Sequence, residues 1–235
     1  MSDRYTMLHN DVFTALDTLS SNSAALCITD PPYFVLTKGK VAREEAARYP
    51  EYHWDKFKSI SDFTNFTERW FELLKTKMQD DSYIFIFWSQ KYLSLGHKIF
   101  NPHRVLIWAY SNLLNSPKGD FVYDYEPIFV IKKGKPKLSL RSLSVLHYTK
   151  PQRNFKCDKA VYPTQKPRAL IAHLLRSVGL PKGATVLDCF QGSGVVGEQA
   201  LLVGYNFIGI DKDPDSIKTA TELLTEASKV RTLLS

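Results

Sequence analysis

Asp30-Pro31-Pro32-Tyr33 follows directly on the apolar run Ala24–Thr29, so its carboxylate is expected at the C-terminal end of a β-strand. In an α/β sheet that end is the lip where ligands bind. The two prolines fix the backbone, remove two N–H donors and leave their carbonyls as acceptors. The tyrosine ring that follows offers a stacking surface for a planar group. Two acceptors beside a ring suit an amino group carried on a flat heterocycle. Such an amine is a poor nucleophile, because its lone pair is delocalised into the ring. If an Asp30 oxygen and the Pro31 carbonyl accept its two N–H hydrogens, the nitrogen is favoured as a pyramid and positive charge developing on it is stabilised. The same tetrapeptide also reads as a plain proline-rich turn with a capping aspartate.

A second block, Asp188-Cys189-Phe190-Gln191-Gly192-Ser193-Gly194, lies between a short β-rich run at 185–189 and the helical run Val195–Val203. Glycines there let backbone approach a ligand closely, and a helix N-terminus favours a carboxylate or phosphate. Further on, the run 207–211 ends in Asp211, where an acid can bind both hydroxyls of a ribose. No lysine follows the glycines, so the pattern differs from the loop that cradles nucleotide phosphates. It suits a nucleoside without a phosphate chain, with Asp188 placed to meet an ammonium. A tight strand-to-helix turn with no ligand is the other reading.

The charge is unevenly placed. The chain has 235 residues, with 31 Lys and Arg against 24 Asp and Glu for a net +7, and nine of those bases fall between Lys132 and Lys159 with Asp158 as the lone acid. The remainder carries one more acid than base, so the whole excess sits in one stretch. A single face meeting a polyanion would be built that way; a solvated basic loop would also. Three widely spaced cysteines, Cys27, Cys157 and Cys189, make neither a disulfide framework nor a zinc site, so no metal is expected, and a reducing cytoplasm fits. No apolar run is long enough to span a bilayer, and the first residues lack the basic and apolar parts of a signal peptide.

These side chains need a scaffold. Apolar β-rich runs recur at 24–29, 83–88, 105–110, 127–131, 185–189 and 207–211, and helical spacing links Phe63, Phe66, Trp70, Leu73, Leu74 and Met78. The same period marks Leu170, Ile171, Leu174, Leu175 and Val178, ended by Gly179 and Pro181, and then Ile217, Ala220, Leu224 and Ala227. Strands alternating with helices predict an α/β fold with a largely parallel sheet covered on both faces. Two stretches, 34–58 and 132–159, show no clean period, and loops of that length in a compact domain are commonly functional or disordered.

The two blocks and their order resemble the DNA amino-methyltransferases, in the β arrangement where Asp-Pro-Pro-Tyr precedes the glycine-rich block. The likeness extends over nearly the whole chain. His9-Asn10-Asp11 with Leu16 and Leu19 resembles that family's N-terminal "Gly-Asp" run, with Asn10 in place of Gly. Trp108 and Tyr125-Glu126-Pro127-Ile128 are similar to its later strands. Tyr162-Pro163-Thr164-Gln165-Lys166-Pro167 is similar to its "His-Pro-Thr-Gln-Lys-Pro" lead into a cofactor-binding helix, and Asn206–Asp211 with the residues to Asp215 to its ribose-binding strand.

The resemblance implies a Rossmann-like fold with a mostly parallel seven-stranded sheet, helices on both faces and one antiparallel strand. It implies one methyltransferase domain over 1–235, with 34–58 a mobile loop and 132–160 a short basic target-recognition segment. S-adenosylmethionine would be bound by Asp188, Phe190, Gly192, Ser193, Gly194 and Asp211, aided by Thr164 and Lys166, with Asp11 at its adenine moiety. Asp30, Pro31, Pro32 and Tyr33 would hold a flipped base and act on it. Lys133, Lys135, Lys137, Arg141 and Arg153 are the expected DNA contacts, with Lys38, Lys40, Arg43 and Arg48 as the other candidate cluster. The expected reaction is transfer to N6 of adenine in DNA. Cytosine N4 is the alternative, but enzymes acting there more often begin the tetrapeptide with Ser, so Asp30 favours adenine; a silent nucleic-acid-binding subunit is another alternative. DNA is the implied partner; a second copy of the chain, a cognate restriction enzyme and a separate recognition subunit are further candidates, and no membrane is expected.

Overall fold

In a computed structural model of the chain, residues 4–34, 57–112, 121–152, 158 and 164–232 are described. The eight strands are β1 Tyr5–His9, β2 Ala24–Thr29, β3 Met78–Phe87, β4 Arg104–Ala109, β5 Tyr125–Lys133, β6 Val145–His147, β7 Thr185–Asp188 and β8 Asn206–Asp211. The helices are α1 Val12–Thr18, α2 Ile60–Lys77, α3 Leu93–Phe100, α4 Arg168–Val178, α5 Val195–Val203 and α6 Pro214–Thr232. All strands form one sheet in the order β1-β8-β7-β2-β3-β5-β4-β6. Pairing is parallel from β1 to β3 and again between β4 and β6; β5 alone runs against both its neighbours.

The sheet is buried on both faces, which is why β2 reads as an unbroken apolar run and not as an alternating one. Leu170, Leu174, Val195, Ala200 and Leu224 bring α4, α5 and α6 against one face. Val12, Leu16, Phe63, Trp70, Leu74 and Phe100 bring α1, α2 and α3 against the other. Local signals start and stop these helices. Ser59 Oγ accepts Asp62 N at 3.1 Å to cap α2, and Gly179, at φ +63°, ends α4 with its N–H on Leu175 O.

The mostly parallel sheet with one antiparallel strand is as expected, but among the described residues it has eight strands and not seven. The added one is β6, three residues long, inside the stretch read as an aperiodic basic loop; too short to show a period, it exists through its pairing with β4. Met78 was expected at the end of a helix and instead opens β3, opposite Ala24. In the stretch Met78–Phe87, Met78 is followed by Gln79, Asp80, Asp81 and Ser82, so its first half lacks an apolar signature. For the same reason the run expected at 127–131 extends to Tyr125–Lys133. Segments 35–56 and 153–157, with Lys38, Lys40, Arg43, Arg48 and Arg153, lie outside the described residues, as do Cys157, Tyr162 and Pro163. Among the described residues no helix is long and apolar enough to cross a membrane.

Candidate active site

Parallel strands carry their C-terminal ends to one rim. Asp30 follows β2, Asp188 ends β7, Asp211 ends β8, and Asn10-Asp11 follow β1, whose order in the sheet makes all four neighbours. The two sequence blocks are thus brought side by side on adjacent central strands, with Leu26 opposite Val186 and Cys27 opposite Leu187.

Thr29 joins the blocks. Its hydroxyl donates to Asp188 Oδ1 at 2.8 Å and accepts the Cys189 N–H at 3.2 Å. Asp188 Oδ1 also accepts Phe190 N at 3.1 Å, shaping the start of the glycine turn. Among the described residues no cation pairs with Asp188, and burial pushes its pKa up to about 7. A buried carboxyl in want of a cation is the feature an ammonium-bearing ligand would satisfy. Gly192 and Gly194 both have positive φ, +44° and +78°, a backbone that favours glycine. A Cβ at Gly194 would come within 2.7 Å of Ala220 on α6, so that glycine also sets how closely α5 and α6 pack. Ser193 is buried in the same turn.

Asp211 holds the turn from the other side: Oδ2 accepts Gly192 N and Oδ1 accepts Asp213 N, each at 2.9 Å. Burial raises its pKa, and those backbone bonds pull against the rise. Asp11 caps α1, with Oδ1 accepting Phe13 N and Thr14 N and Oδ2 the Thr14 hydroxyl. The Asn10 N–H reaches Asp211 O at 3.0 Å, which ties this cap to the rim. Phe190 packs edge-on against Trp70 at 5.3 Å.

Asp30 stands in a network of charge. Tyr33 OH donates to its Oδ1, and the Lys166 ammonium donates to its Oδ2. Lys166 Nζ is also 3.5 Å from Glu126 Oε2, and Lys150 Nζ is 3.6 Å from Glu126 Oε1. Lys150 stacks over the Tyr110 ring at 3.9 Å. Burial raises the Asp30 pKa while Lys166 pulls it back. Burial alone would depress Lys166, but Asp30 and Glu126 override it and hold its pKa above the ordinary lysine value. Pro31 and Pro32 are buried behind the carboxylate, and the Tyr33 ring meets Trp88 at 6.0 Å, edge-on.

Two expectations about lysines meet a different placement. Lys166 was expected to aid the cofactor; its ammonium lies on Asp30 and Glu126, while exposed Thr164 lends it a backbone carbonyl at 3.5 Å. The basic stretch was expected to form one face. Because β5 is antiparallel, Glu126 is at the site rim and Lys133 is seven residues along the strand at the opposite one, roughly 23 Å away at about 3.3 Å per residue. There Lys133 Nζ donates to Met78 O and Asn22 Oδ1, and Lys135 N donates to Asp81 Oδ1. Exposed Lys137 lies between Pro136, bonded to Tyr83 OH, and Ser139, bonded to Ser177 O at the end of α4. Arg141 is exposed on the segment returning along α4, where Ser142 bonds His173.

Glu126, Thr29 and Lys150 were not singled out from the sequence. Glu126 was visible only within a strand motif, and nothing local marks it as acting on Asp30. Arg168 is a further support: its guanidinium bonds Glu198 at 2.6 Å and Asp158 at 3.0 Å, joining the starts of α4 and α5.

The family model N6_N4_Mtase, described as DNA methylase, matches residues 24–222. The type II methyltransferase M.HinfI of Haemophilus influenzae is 26% identical over 251 residues, 94% of this chain and 68% of the relative. M2.DpnII of Streptococcus pneumoniae, also a type II methyltransferase, is 25% identical over 93% of this chain and 88% of its own length. In fold, M1.HpyAVI in complex with SAM superposes with a TM-score of 0.67 at 22% identity, over 94% of this chain and 98% of that one. The PvuII cytosine-N4-specific DNA methyltransferase reaches a TM-score of 0.73 at 14% identity, over 97% and 94%. With the family match spanning both motif strands and the rim they share, the chain belongs to the DNA methylases, as a β-arranged amino-methyltransferase that uses S-adenosylmethionine.

Proposed function

We propose that this DNA methyltransferase acts on N6 of adenine and receives the base extruded from the duplex. The observation that carries the reading is Asp30 at the end of β2, an acid where N4-cytosine enzymes more often have Ser, beside the glycine turn of β7. Duplex pairing hides the reacting edge from a pocket of this kind, so the base must leave the stack. Asp30 and the Pro31 carbonyl accept the two N–H hydrogens, Tyr33 and the buried prolines confine the ring, and negative charge on Asp30 stabilises the nitrogen as it becomes positive. S-adenosylmethionine supplies an electrophilic methyl group when bound. Asp188 meets its ammonium, Gly192, Ser193 and Gly194 with the Phe190 backbone surround it, and Asp211 takes the ribose hydroxyls. Asp11 bounds the adenine side of the same rim, and Thr164 lies at its margin.

The DNA lies against the rim that carries Asp30. Phe34 and Phe57 pack together at 5.8 Å and both pack on Phe63, so the two ends of segment 35–56, with its Lys38, Lys40, Arg43 and Arg48, are rooted close to that rim. This reading gives Lys133, Lys135 and Lys137 a lesser share of DNA binding than their number suggests, and leaves Arg141 and Arg153 as candidates for base edges, where a guanidinium bonds bidentately. The type II names of both relatives place a restriction-modification role first among the settings to test.

Mass spectrometry of digested product DNA tests the reading. N6-methyladenine is the expected product. N4-methylcytosine alone would replace adenine by cytosine, and cofactor binding without any product would favour a silent subunit.

A further inference from the structure

Both oxygens of Asp30 are engaged, one by the Tyr33 hydroxyl and the other by the Lys166 ammonium. A target amine approaching Asp30 offers donors, as the ammonium does, so the two compete for Oδ2. A cation held beside the reacting nitrogen would also oppose the positive charge that develops there. Lys166 therefore has to leave Asp30 for the reaction, yet its side chain is 7% exposed, so water is a poor alternative partner. One acid adjoins it. Glu126 Oε2 lies 3.5 Å away, buried and without a hydrogen bond among the described residues.

We propose that Glu126 is the second seat of the Lys166 ammonium, taken up when the target amine claims Asp30, which makes Glu126 a positioning residue for methyl transfer. The inference rests on Asp30 being the base-holding carboxylate. Charge is matched in both arrangements. With Lys166 hydrogen-bonded to Asp30, Glu126 meets it only as an ion pair at 3.5 Å and is paired with Lys150 across its other oxygen at 3.6 Å. With Lys166 on Glu126, Asp30 keeps the Tyr33 hydroxyl on Oδ1 and turns Oδ2 to the amine, so its negative charge acts on the nitrogen without a cation beside it. Glu126 gets there because β5 runs antiparallel, bringing the start of that strand to the rim where every neighbour presents its end.

Single-turnover methylation of DNA by the full chain tests this with Glu126→Gln and Glu126→Asp. Gln keeps the shape and loses the charge; Asp keeps the charge and shortens the side chain. We expect Gln to slow transfer at least about tenfold at saturating DNA, and Asp to recover most of the rate. S-adenosylmethionine affinity should stay within about twofold of the parent in both, since the seat concerns Asp30 alone. A packing role predicts the opposite order, Gln above Asp. Lys166→Arg is an independent arm, because one guanidinium can hold both carboxylates at once and so keep its grip on Asp30; it should slow transfer by a similar factor. Parent rates in Glu126→Gln, Gln faster than Asp, or parent rates in Lys166→Arg would overturn the proposal. Asp30→Ala is measured alongside: if it turns over normally the reading of Asp30 itself falls, whereas an inactive Asp30→Ala with a normal Glu126→Gln removes only the second seat.

Discussion

The two rims of the sheet both carry lysines and acids, and they use them differently. At the far rim, Lys133 donates to the Met78 carbonyl at 2.5 Å and to Asn22, closing the end of α2, and Asp81 Oδ1 takes the Lys135 N–H to close the turn at Gly134. Asp80, the acid paired with Lys133, has a side chain 88% exposed. These are solvated charges that finish backbone hydrogen bonding. At the site rim Lys166 and Glu126 have side chains 7% and 16% exposed, and Asp188 is buried with no cation paired to it among the described residues. Solvated pairs contribute little and are easily replaced, whereas buried charges are costly unless something compensates them. At the site rim part of that compensation is left for substrate and cofactor.

The sharpest break of the contrast is Asp30→Ala. Loss of the only carboxylate in its motif should lower methyl transfer by at least about a hundredfold, with S-adenosylmethionine binding, read by titration, largely kept. Next is Asp188→Asn, which keeps an acceptor for Thr29 and Phe190 and removes the charge. Cofactor affinity should fall by about 1.5–3 kcal/mol, the scale of a charge-assisted hydrogen bond. Its thermal stability should move the other way. The folded pKa near 7 lies above the ordinary carboxylate value of 3.8, so the folded state holds the extra proton between them, and stability from this group is lost as pH rises through about 7. Above that pH, Asn should therefore raise Tm. In the parent, affinity for the cationic cofactor should climb with pH up to about 7 and then level, measurable in a pH series of titrations.

Asp211→Ala comes third. It removes the acceptor of both Gly192 N and Asp213 N, so it should weaken cofactor binding by about 1.5–3 kcal/mol and lower Tm as well. The joint loss distinguishes it from Asp188→Asn. The smallest effect belongs to the far rim. Replacing Lys133, Lys135 and Lys137 together by Ala should cost some stability through Lys133 and leave the salt dependence of DNA binding unchanged. A slope flattened by about 0.9 for each lost phosphate contact would show that DNA reaches that rim after all.

The acids Asp30, Asp188 and Asp211 were legible in the chain because each ends an apolar run, and a strand end in a parallel sheet is already a position in space. Glu126 was not, since it begins its strand; only the reversal of β5 puts it among strand ends. Thr29 was likewise hidden, because its partner Asp188 is 159 residues away and no local pattern encodes that pairing. The lysines of the basic stretch are near one another along the chain but do not share a face, because β5, the turn at Gly134 and β6 carry them from one rim back toward the other, a reversal that no local pattern encodes.

Cys27 and Cys189 lie buried on the strand of one motif and directly after the strand of the other, beneath the Thr29–Asp188 link. Both thiols are buried and so out of reach of a reagent, and burial and the contact with Cys189 raise the Cys27 pKa well above its usual value. Labelling them requires β2 and β7 to part, the same opening that would dismantle both motifs. In a Cys157→Ser background, the rate of alkylation thus becomes a clock for that opening, and bound cofactor should slow it.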